Sequence, residues 1–581
     1  MSVVATTELT RRFGPVIALD RLTVELPAAG VIGLVGPNGS GKSTLIRILL
    51  GLIRPTAGSA SVLGSSVHHP RDYATRVGVL IEGPAFIPAL SARANLVSLA
   101  HLRHLSLDRV DAVLAQVGLV GRDREPVKRF SLGTKQRLGI AAALLSDPEL
   151  LILDEPTNGL DPAGIVEIRE LLRELGRNGR TVIVSSHQLS EIEAVCDHLV
   201  VIRFGELIFS GPMAEVMKRT REHIDIVAEH TADMGRLEAA LAGGGWSVSA
   251  VGGVLRVAAG AARAGGPQPG RGGRRHHPEP AGRRPGQPGG DLPRDDRAGG
   301  RRAGERPRGD ERQGGVMIAA TRSELTRLRQ PRLLLTWFGL MALFTLLVNT
   351  IMVTFVSGGG SLPPGAPGVA FPTLAEMESP SGLMSGLAAA SNMFGIVTLS
   401  LWAVVTAGDY SSGLIRLLVA AEPRRWRLLA GKVVALVIVT AAATTVAAIV
   451  NVFAVMPAAG AAGISTAAWG TDLVSVVGSA WTNLFLALCV WGVLGLVIAV
   501  LARSAAVAIS IGVGYVLVVE SLVKMVKDAP ADWLLGTTLG AVASGGTATV
   551  AYGTALALAL GYVTLGLVLA GVVFVRRDVT D

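Results

Sequence analysis

Eight consecutive residues near the N-terminus have the types and the spacing that bind phosphate. Their order fits the pattern G-x-x-x-x-G-K-[ST], in which backbone N–H groups surround the phosphates and the lysine reaches the terminal ones. The residues are Gly36, Pro37, Asn38, Gly39, Ser40, Gly41, Lys42 and Ser43, with Thr44 following directly. The sequence therefore predicts that this loop binds a nucleotide.

The residues on either side of the loop predict the elements that must hold it. Residues 31–35 are an apolar run typical of a buried strand, and residues 44–50 are typical of a helix that begins at the loop. A helix N-terminus favours anions because its first N–H groups are unpaired and its dipole is positive there. Short apolar strands alternate with charged helical stretches from there on, so we expect an α/β domain over residues 1–230 and an extension of it over residues 231–262.

The second half of the chain has a different composition. Residues 332–575 contain long runs with almost no charge, and a helix needs about 20 mostly apolar residues to cross a bilayer. We therefore predict an all-α transmembrane domain over residues 317–581. Its six spans are expected at residues 333–356, 386–408, 432–455, 481–501, 504–523 and 551–575.

The positive charges around these spans predict the orientation of the chain. Arginines precede the first span, follow the second and sixth, and separate the fourth from the fifth, all on one side. Because positive loops favour the cytoplasm, we expect a multi-pass protein of the cell membrane with both termini cytoplasmic. Residues 318–330, with Ile318, Leu325 and Leu328 among arginines, predict an amphipathic helix at that interface. Glu520 is an acid near the outer end of the fifth span, which indicates either a pathway residue or a side chain that snorkels to the interface.

A segment between the two halves has an unusual composition. Residues 263–315 include 15 Gly, 13 Arg and 8 Pro but no Lys. This composition predicts a disordered linker, which we place at residues 263–316. The segment also holds +6 of the net charge of +9, so the charge does not indicate binding to nucleic acid, and we expect none. Two interpretations remain: a flexible tether, or an out-of-frame reading that joins two neighbouring genes, the second starting at Met317.

Four further motifs follow the phosphate loop in a fixed order. They are F-S-L-G-T-K-Q-R at residues 130–137, L-L-I-L-D-E at residues 150–155, N-G-L-D at residues 158–161 and a strand that ends at His187. With these motifs, the chain resembles an ATP-binding cassette (ABC) ATPase from residue 3 to about residue 225. The resemblance implies the P-loop NTPase fold, with ATP and Mg²⁺ as cofactors.

The resemblance also assigns roles to individual residues. Lys42 is expected to neutralise the β- and γ-phosphates, and Ser43 and Asp154 are expected to bind Mg²⁺. Glu155 is then the carboxylate that orients or deprotonates the attacking water. His187 corresponds to the family's switch histidine, which contacts the γ-phosphate.

Other positions match the family's contacts to the nucleotide. Phe13 stands where the family stacks an aromatic ring on adenine, with a core aromatic as the alternative. Ser131 and Gly133 of the signature would act on ATP bound to a second chain, so we expect a homodimer. Leu132 replaces the usual first glycine of the signature, and Glu82 stands where the family commonly has glutamine. Glu82 is thus expected beside the nucleotide, with a solvated loop acid as the alternative.

The transmembrane half resembles an ABC-2 permease. D-Y-S-S-G-L-I-R at residues 409–416, followed by R-R-W-R at residues 424–427, is similar to the cytoplasmic loop that docks on the ATPase in that family. The whole chain is then similar to bacitracin and lantibiotic-immunity exporters. This implies ATP-driven export of a small molecule, peptide or lipid-like substrate across the lipid bilayer, with no residue naming the substrate. An ATPase that drives mechanical signalling or regulation without net transport is the alternative.

Overall fold

The computed structural model describes residues 2–28, 30–219, 223–227, 231–244, 246, 248–251, 254–258, 311–358, 372–525 and 533–578. The chain divides into two compact units. The first combines Met1–Ser210 with Arg312–Asp581, and the second is Gly211–Glu311. Most of the predicted linker, residues 263–310, lies outside the described residues.

The N-terminal part of the first unit, called the cassette here, mixes strands with helices. Its ten strands are β1 (Ser2–Phe13), β2 (Val16–Pro27), β3 (Gly30–Val35), β4 (Ala57–Val62), β5 (Ser65–Ser66), β6 (Val77–Leu80), β7 (Leu150–Asp154), β8 (Thr181–Ser186), β9 (His198–Arg203) and β10 (Glu206–Pro212). Its helices are α1 (Lys42–Leu49), α2 (Ala92–Leu102), α3 (Asp108–Gln116), α4 (Leu132–Leu144), α5 (Pro162–Arg177) and α6 (Leu189–Glu193).

The strands of the cassette form two sheets. The larger has six strands in the order β10-β9-β3-β8-β7-β6, and the pairs from β9 to β6 are parallel. Its central strands are buried along nearly their whole length, as expected of a parallel sheet covered on both faces. The smaller sheet is antiparallel, in the order β2-β1-β4-β5. This arrangement confirms the predicted α/β class of the N-terminal half.

The second unit is a small α/β element. It contains α7 (Met213–Arg219), β11 (His223–Ile226), α8 (Met234–Gly243), β12 (Val248–Val251) and β13 (Val254–Ala258). The three strands pair antiparallel in the order β11-β13-β12.

The C-terminal part of the first unit, called the membrane part here, consists of helices and the loops between them, with no strand among its described residues. Its helices are α9 (Glu311–Leu328), α10 (Pro331–Ser357), α11 (Leu374–Glu378), α12 (Ser385–Ala389), α13 (Ser391–Ser411), α14 (Leu414–Ala421), α15 (Arg425–Ala461), α16 (Leu473–Ala502), α17 (Ala505–Gly514), α18 (Glu520–Met525), α19 (Leu535–Ser544) and α20 (Tyr552–Arg576). A π-helical turn, Tyr515–Val519, joins α17 to α18.

Six stretches in the described residues are long and apolar enough to cross a membrane, which confirms the predicted number. They are α10, α13, α15, α16, Ala505–Val523 and α20. The second span begins at Ser391, five residues later than predicted, because residues 385–389 form the separate helix α12. Helix α19 was not predicted, since its ten residues are too few to span the bilayer.

Glycines allow α13 and α16 to pack closely. A Cβ atom at Gly395 would lie 2.3 Å from Nε1 of Trp491, and one at Gly492 would lie 2.4 Å from Cε2 of Trp402. Each helix therefore offers a glycine to the indole ring of the other. Small residues at helix contacts are typical of membrane proteins because they let the backbones approach.

Helix α9 differs from the predicted amphipathic helix. Ile318 is exposed, whereas Glu324 and Arg327 are buried. Both belong to a closed set of four charges, the charge cluster, with Asp409 at the end of α13 and Lys432 in α15. Arg327 pairs with both carboxylates, and Lys432 Nζ lies 3.0 Å from Glu324 Oε2 and 2.9 Å from Asp409 Oδ2. Hydropathy could not predict this burial, because each charge becomes tolerable only through partners on other helices.

The cassette and the membrane part contact each other within the first unit. Helix α14 lies against the cassette, where Arg416 pairs with Glu82. Arg425 Nη2 donates to the carbonyl of Leu52 at 3.3 Å, Thr326 Oγ1 lies 3.3 Å from His101 Nδ1, and Arg11 pairs with Asp578 at 2.8 Å. Helix α14 follows the second span, as predicted for the docking loop.

Candidate functional site

The phosphate loop joins β3 to α1 at the carboxyl edge of the six-stranded sheet. Gly39 and Gly41 have φ angles of +78° and +103°, a region that only glycine adopts without strain. A Cβ atom at Gly41 would also lie 2.4 Å from the carbonyl oxygen of Ala18 in β2. The two glycines thus curl the loop back toward the start of α1, whose N-terminus faces the inside of the curl.

Two side chains of the loop, Ser40 and Lys42, are buried. Lys42 is buried, and its Nζ donates to the carbonyls of Gly36 at 2.7 Å and Pro37 at 3.2 Å. Burial lowers the pKa of Lys42, while the nearby carboxylates Glu155 and Asp154 act in the opposite direction. The hydroxyl of Ser40 is buried without a hydrogen-bond partner among the described residues. A curled loop with a buried ammonium and an unpaired hydroxyl fits a bound phosphate chain.

Two carboxylates stand beside this loop because parallel strands end at one edge. Asp154 ends β7 and pairs in register with Ser185 of β8, while Val35 of β3 pairs with Ser186. The hydroxyl of Ser185 donates to Asp154 Oδ1 and accepts the backbone N–H of Glu155 at 2.9 Å. Ser185 therefore holds the carboxylate of Asp154 and the backbone of Glu155.

Glu155 has two side-chain neighbours at this edge. Its Oε1 lies 3.6 Å from Nδ1 of His187, and its Oε2 accepts from Nδ2 of Asn158 at 3.2 Å. The φ angle of Glu155 is +48°, which is uncommon for a residue with a Cβ atom and turns the chain sharply after β7. The structure thus brings Glu155 and His187 together.

Glu82 lies at the boundary between the cassette and the membrane part. It pairs with Arg47 of α1 on one side and with Arg416 of α14 on the other. Glu82, Arg416, Ser43, Asp154 and Glu155 all line one open cleft of about 760 Å³. Glu82 is therefore an exposed, ion-paired side chain that lines this cleft.

The signature residues lie at the start of α4. Ser131 is exposed, and in the described part of the chain its hydroxyl bonds only to Thr134, which makes Ser131 the N-cap of the helix. Gly133 and Leu132 follow on the first turn, and Leu132 is 44 % exposed. In a single chain these residues have no hydrogen bond to the phosphate loop.

Phe13 ends β1 at the hairpin to β2, in register with Val16. It is half-buried, and the guanidinium of Arg11 lies 4.4 Å from the centre of its ring. Ala18, five residues later in the hairpin, approaches the loop at Gly41. One face of the Phe13 ring is therefore covered by Arg11.

Sequence reasoning missed several residues of the site. Ser185 was hidden in an apolar strand, and its role follows from its register beside Asp154. Glu191 accepts from the hydroxyls of Thr157 at 2.8 Å and Ser186 at 2.9 Å, which ties the turns after β7 and β8 together. Arg47 lies one turn after the loop, and only its pairing with Glu82 distinguishes it.

Comparison with known proteins agrees with this geometry. Residues 19–158 match the family model described as ABC transporter. The bacitracin transport ATP-binding protein BcrA of Bacillus licheniformis is 42% identical over 227 residues, which are 39% of this chain and 74% of that protein. The chain belongs to the ABC transporter family. Its cassette is an ATP-binding P-loop domain.

Further comparisons match both parts of this ABC protein. The lantibiotic transport ATP-binding protein SrtF of Streptococcus pyogenes is 42% identical over 200 residues, 34% of this chain and 86% of that protein. Residues 339–580 match a family model described as a protein of unknown function, DUF2705. Among solved structures, CbiO1 from Clostridium perfringens, part of the ABC transporter complex CbiONQ, is 26% identical with a TM-score of 0.35, covering 42% of this chain and 99% of that one.

Proposed function

We propose that this ABC protein hydrolyses ATP in the cleft at the sheet edge and uses the energy to export a substrate through its membrane part. The observation that carries the proposal is the cleft itself. It joins the phosphate loop, Asp154 and Glu155 to Arg416, a residue of the membrane part. A change at the nucleotide is thereby transmitted directly to α14.

The residues of the cleft divide the chemistry among them. Lys42 and the N–H groups of the loop would hold the phosphates, so that the γ-phosphate faces the sheet edge. Glu155 orients the attacking water and takes its proton, while Asn158 holds one carboxylate oxygen in place. His187, 3.6 Å from the other oxygen, contacts the γ-phosphate and keeps Glu155 from turning away.

The site also fits Mg²⁺. Ser43 and Asp154 line the same cleft and offer a hydroxyl and a carboxylate oxygen, the ligand types that Mg²⁺ takes together with nucleotide phosphates. Bound there, the ion neutralises charge on the phosphates. The hydroxyl of Ser185 already holds Oδ1 of Asp154, which fixes the orientation of the carboxylate for binding the ion through Oδ2.

Two chains are proposed to complete each site. Ser131 is exposed at the positive N-terminus of α4, where a phosphate would be favoured, yet it does not reach the phosphate loop of its own chain. A homodimer in which Ser131 and Gly133 of one chain contact ATP on the other supplies the missing contact.

The test of the catalytic assignment is the variant Glu155→Gln. It keeps Asp154, Ser43 and the loop, so ATP still binds, but it removes the general base, and the hydrolysis rate of the purified protein is expected to fall by at least about 100-fold. Glu170→Gln, the same chemical change at an exposed position of α5, serves as the control. Hydrolysis by the Glu155→Gln variant at the parent rate would show that another group is the base.

Export is separated from regulation by a transport measurement. The names of the relatives point to peptide antibiotics, so labelled bacitracin is the first probe. Inverted vesicles containing the parent protein are expected to accumulate it with ATP, and vesicles with the Glu155→Gln variant are not. An active ATPase that accumulates neither bacitracin nor any compound from a library of peptides and lipids supports the regulatory alternative.

A further inference from the structure

The membrane part contains a cavity of about 610 Å³ at the end that faces away from the cassette. Helix α13 fixes its place: Ser391, the first residue, lines this cavity, and Ser411, the last, lines the nucleotide cleft. A helix rises 1.5 Å per residue, so the two ends are about 30 Å apart, the thickness of a bilayer core. The cavity therefore opens on the side of the membrane opposite the cassette. Its volume is in the range of small-molecule sites.

The lining of this outer cavity has a definite chemistry. Nine of its 21 lining residues carry a hydroxyl or an amide, among them Ser385, Asn392, Ser479 and Asn483. Most of the others are alanine or glycine. Glu376 is the one charged residue among those that line it, and no lysine, arginine or histidine does so in the described chain. Such a surface can both donate and accept hydrogen bonds, but the lining residues that the structure describes carry no positive charge.

Helix α19 forms one wall of the cavity, and Glu520 holds its N-terminus. Oε2 of Glu520 accepts the N–H of Gly536 at 3.1 Å, and Oε1 accepts the N–H of Thr537 at 2.8 Å and its hydroxyl at 3.2 Å. Glu520 is buried, and a Cβ atom at Gly536 would lie 2.4 Å from Oε2. The positive end of α19, which would otherwise favour an anion, is thus already neutralised by a carboxylate of the chain itself.

We propose that the outer cavity is the passage from which the exported substrate leaves, and that it takes an uncharged or cationic ligand rich in hydrogen-bonding groups while rejecting anions. Glu520 is a positioning residue for this site: it fixes the wall formed by α19 and removes that helix's attraction for anions. The inference rests on the proposed export function and adds to it the class of substrate.

The test measures how the outer cavity discriminates charge. The full chain with Cys196→Ala and Cys489→Ala receives a single cysteine by Ser479→Cys and is placed in lipid nanodiscs. Two thiol reagents of similar size are compared, one carrying a trimethylammonium group and one a sulfonate, each rate divided by the rate with free mercaptoethanol. The cationic reagent is expected to react at least about tenfold faster. Equal rates, a faster sulfonate reagent, or no reaction with either overturns the proposal.

Glu520→Gln tests the positioning role in the same background. Without the carboxylate the N-terminus of α19 attracts anions again, so the preference for the cationic reagent is expected to fall by at least about threefold. Glu378→Gln is the matched control, because Glu378 holds the N–H of Ser465 and does not line the cavity. A wholly structural role for Glu520 would slow or speed both reagents alike and leave their ratio unchanged, which would refute the electrostatic part.

A nucleotide arm decides whether the cavity belongs to the transport cycle. ATP added to a Glu155→Gln protein that carries Ser479→Cys is expected to change the labelling rate at least about threefold, because closing the cassettes moves the far end of α13. The control is the Glu155→Gln protein with Ser465→Cys in place of Ser479→Cys, because Ser465 does not line the cavity. An unchanged rate at 479 means that the cavity is not the passage. Unchanged hydrolysis by Glu155→Gln would instead count against the proposed function and leave the charge preference standing.

Discussion

The charge cluster predicts a large effect of removing one cation. The four side chains of Glu324, Arg327, Asp409 and Lys432 are each 5–8 % exposed, so water cannot replace a lost partner. At an effective dielectric constant of 20, two opposite charges 3 Å apart attract by about 5 kcal/mol before the cost of desolvation is subtracted. Lys432 makes two such contacts, one with Glu324 and one with Asp409. Removing one member of a buried ion pair typically costs about 3–5 kcal/mol, and we expect Lys432→Met to lower the free energy of unfolding by that amount.

The assay is thermal unfolding of the purified protein in detergent, followed by intrinsic tryptophan fluorescence, to which the buried residues Trp337 and Trp402 contribute. The expected loss lowers the midpoint of unfolding relative to the parent protein. A second variant, Lys432→Met with Asp409→Asn, restores neutrality and is expected to recover at least about 2 kcal/mol in a double-mutant cycle. Arg332→Met at an exposed site is the control. The reasoning is refuted if the Lys432→Met variant has the same unfolding midpoint as the parent protein. It is also refuted if the effects of Lys432→Met and Asp409→Asn on the free energy of unfolding are additive.

Three other predictions concern coupling, nucleotide binding and the linker. Arg416→Glu is expected to leave ATP hydrolysis and membrane insertion intact while reducing transport into inverted vesicles, because it breaks the pair with Glu82, and Glu82→Arg added to it should restore part of the transport. Normal transport by the single variant would count against docking through this pair. Lys42→Ala is expected to weaken ATP binding in an equilibrium assay, and unchanged affinity would remove Lys42 from the site. If residues 263–316 are an out-of-frame reading, peptide mapping of native membranes should find a product that starts at Met317, whereas tryptic peptides derived from within the segment would exclude this.

The sequence predicted those parts of the site whose residue types are dictated by phosphate chemistry. A loop that binds phosphates needs glycines and a lysine, and an acid at the end of a neighbouring parallel strand must come near it. Asp154 and Glu155 follow this rule, since their strand and β3 both pair with β8. The six spans were predicted for a similar reason, because the bilayer sets the length and polarity of each helix.

The remaining contacts depend on partners that are distant along the chain. Arg327 and Asp409 are 82 residues apart, and Arg416 and Glu82 are 334 apart, so no local pattern indicates either pair. The role of Glu520 was also undetermined, because the helix that it caps is too short for a hydropathy signal. These side chains form their ion pairs and hydrogen bonds only in the folded chain, and a single sequence does not indicate which residues pair.

The docking between cassette and membrane part has a consequence for how the molecule is assembled. The contacts of Arg416, Arg425, Thr326 and Asp578 are made by residues that lie outside 211–311. The same surfaces would meet if the two parts were separate polypeptides. Joining them in one chain sets a one-to-one stoichiometry and makes the docking of the two parts an intramolecular event. Even at low protein concentration in the membrane, the membrane part would thus remain connected to its cassette.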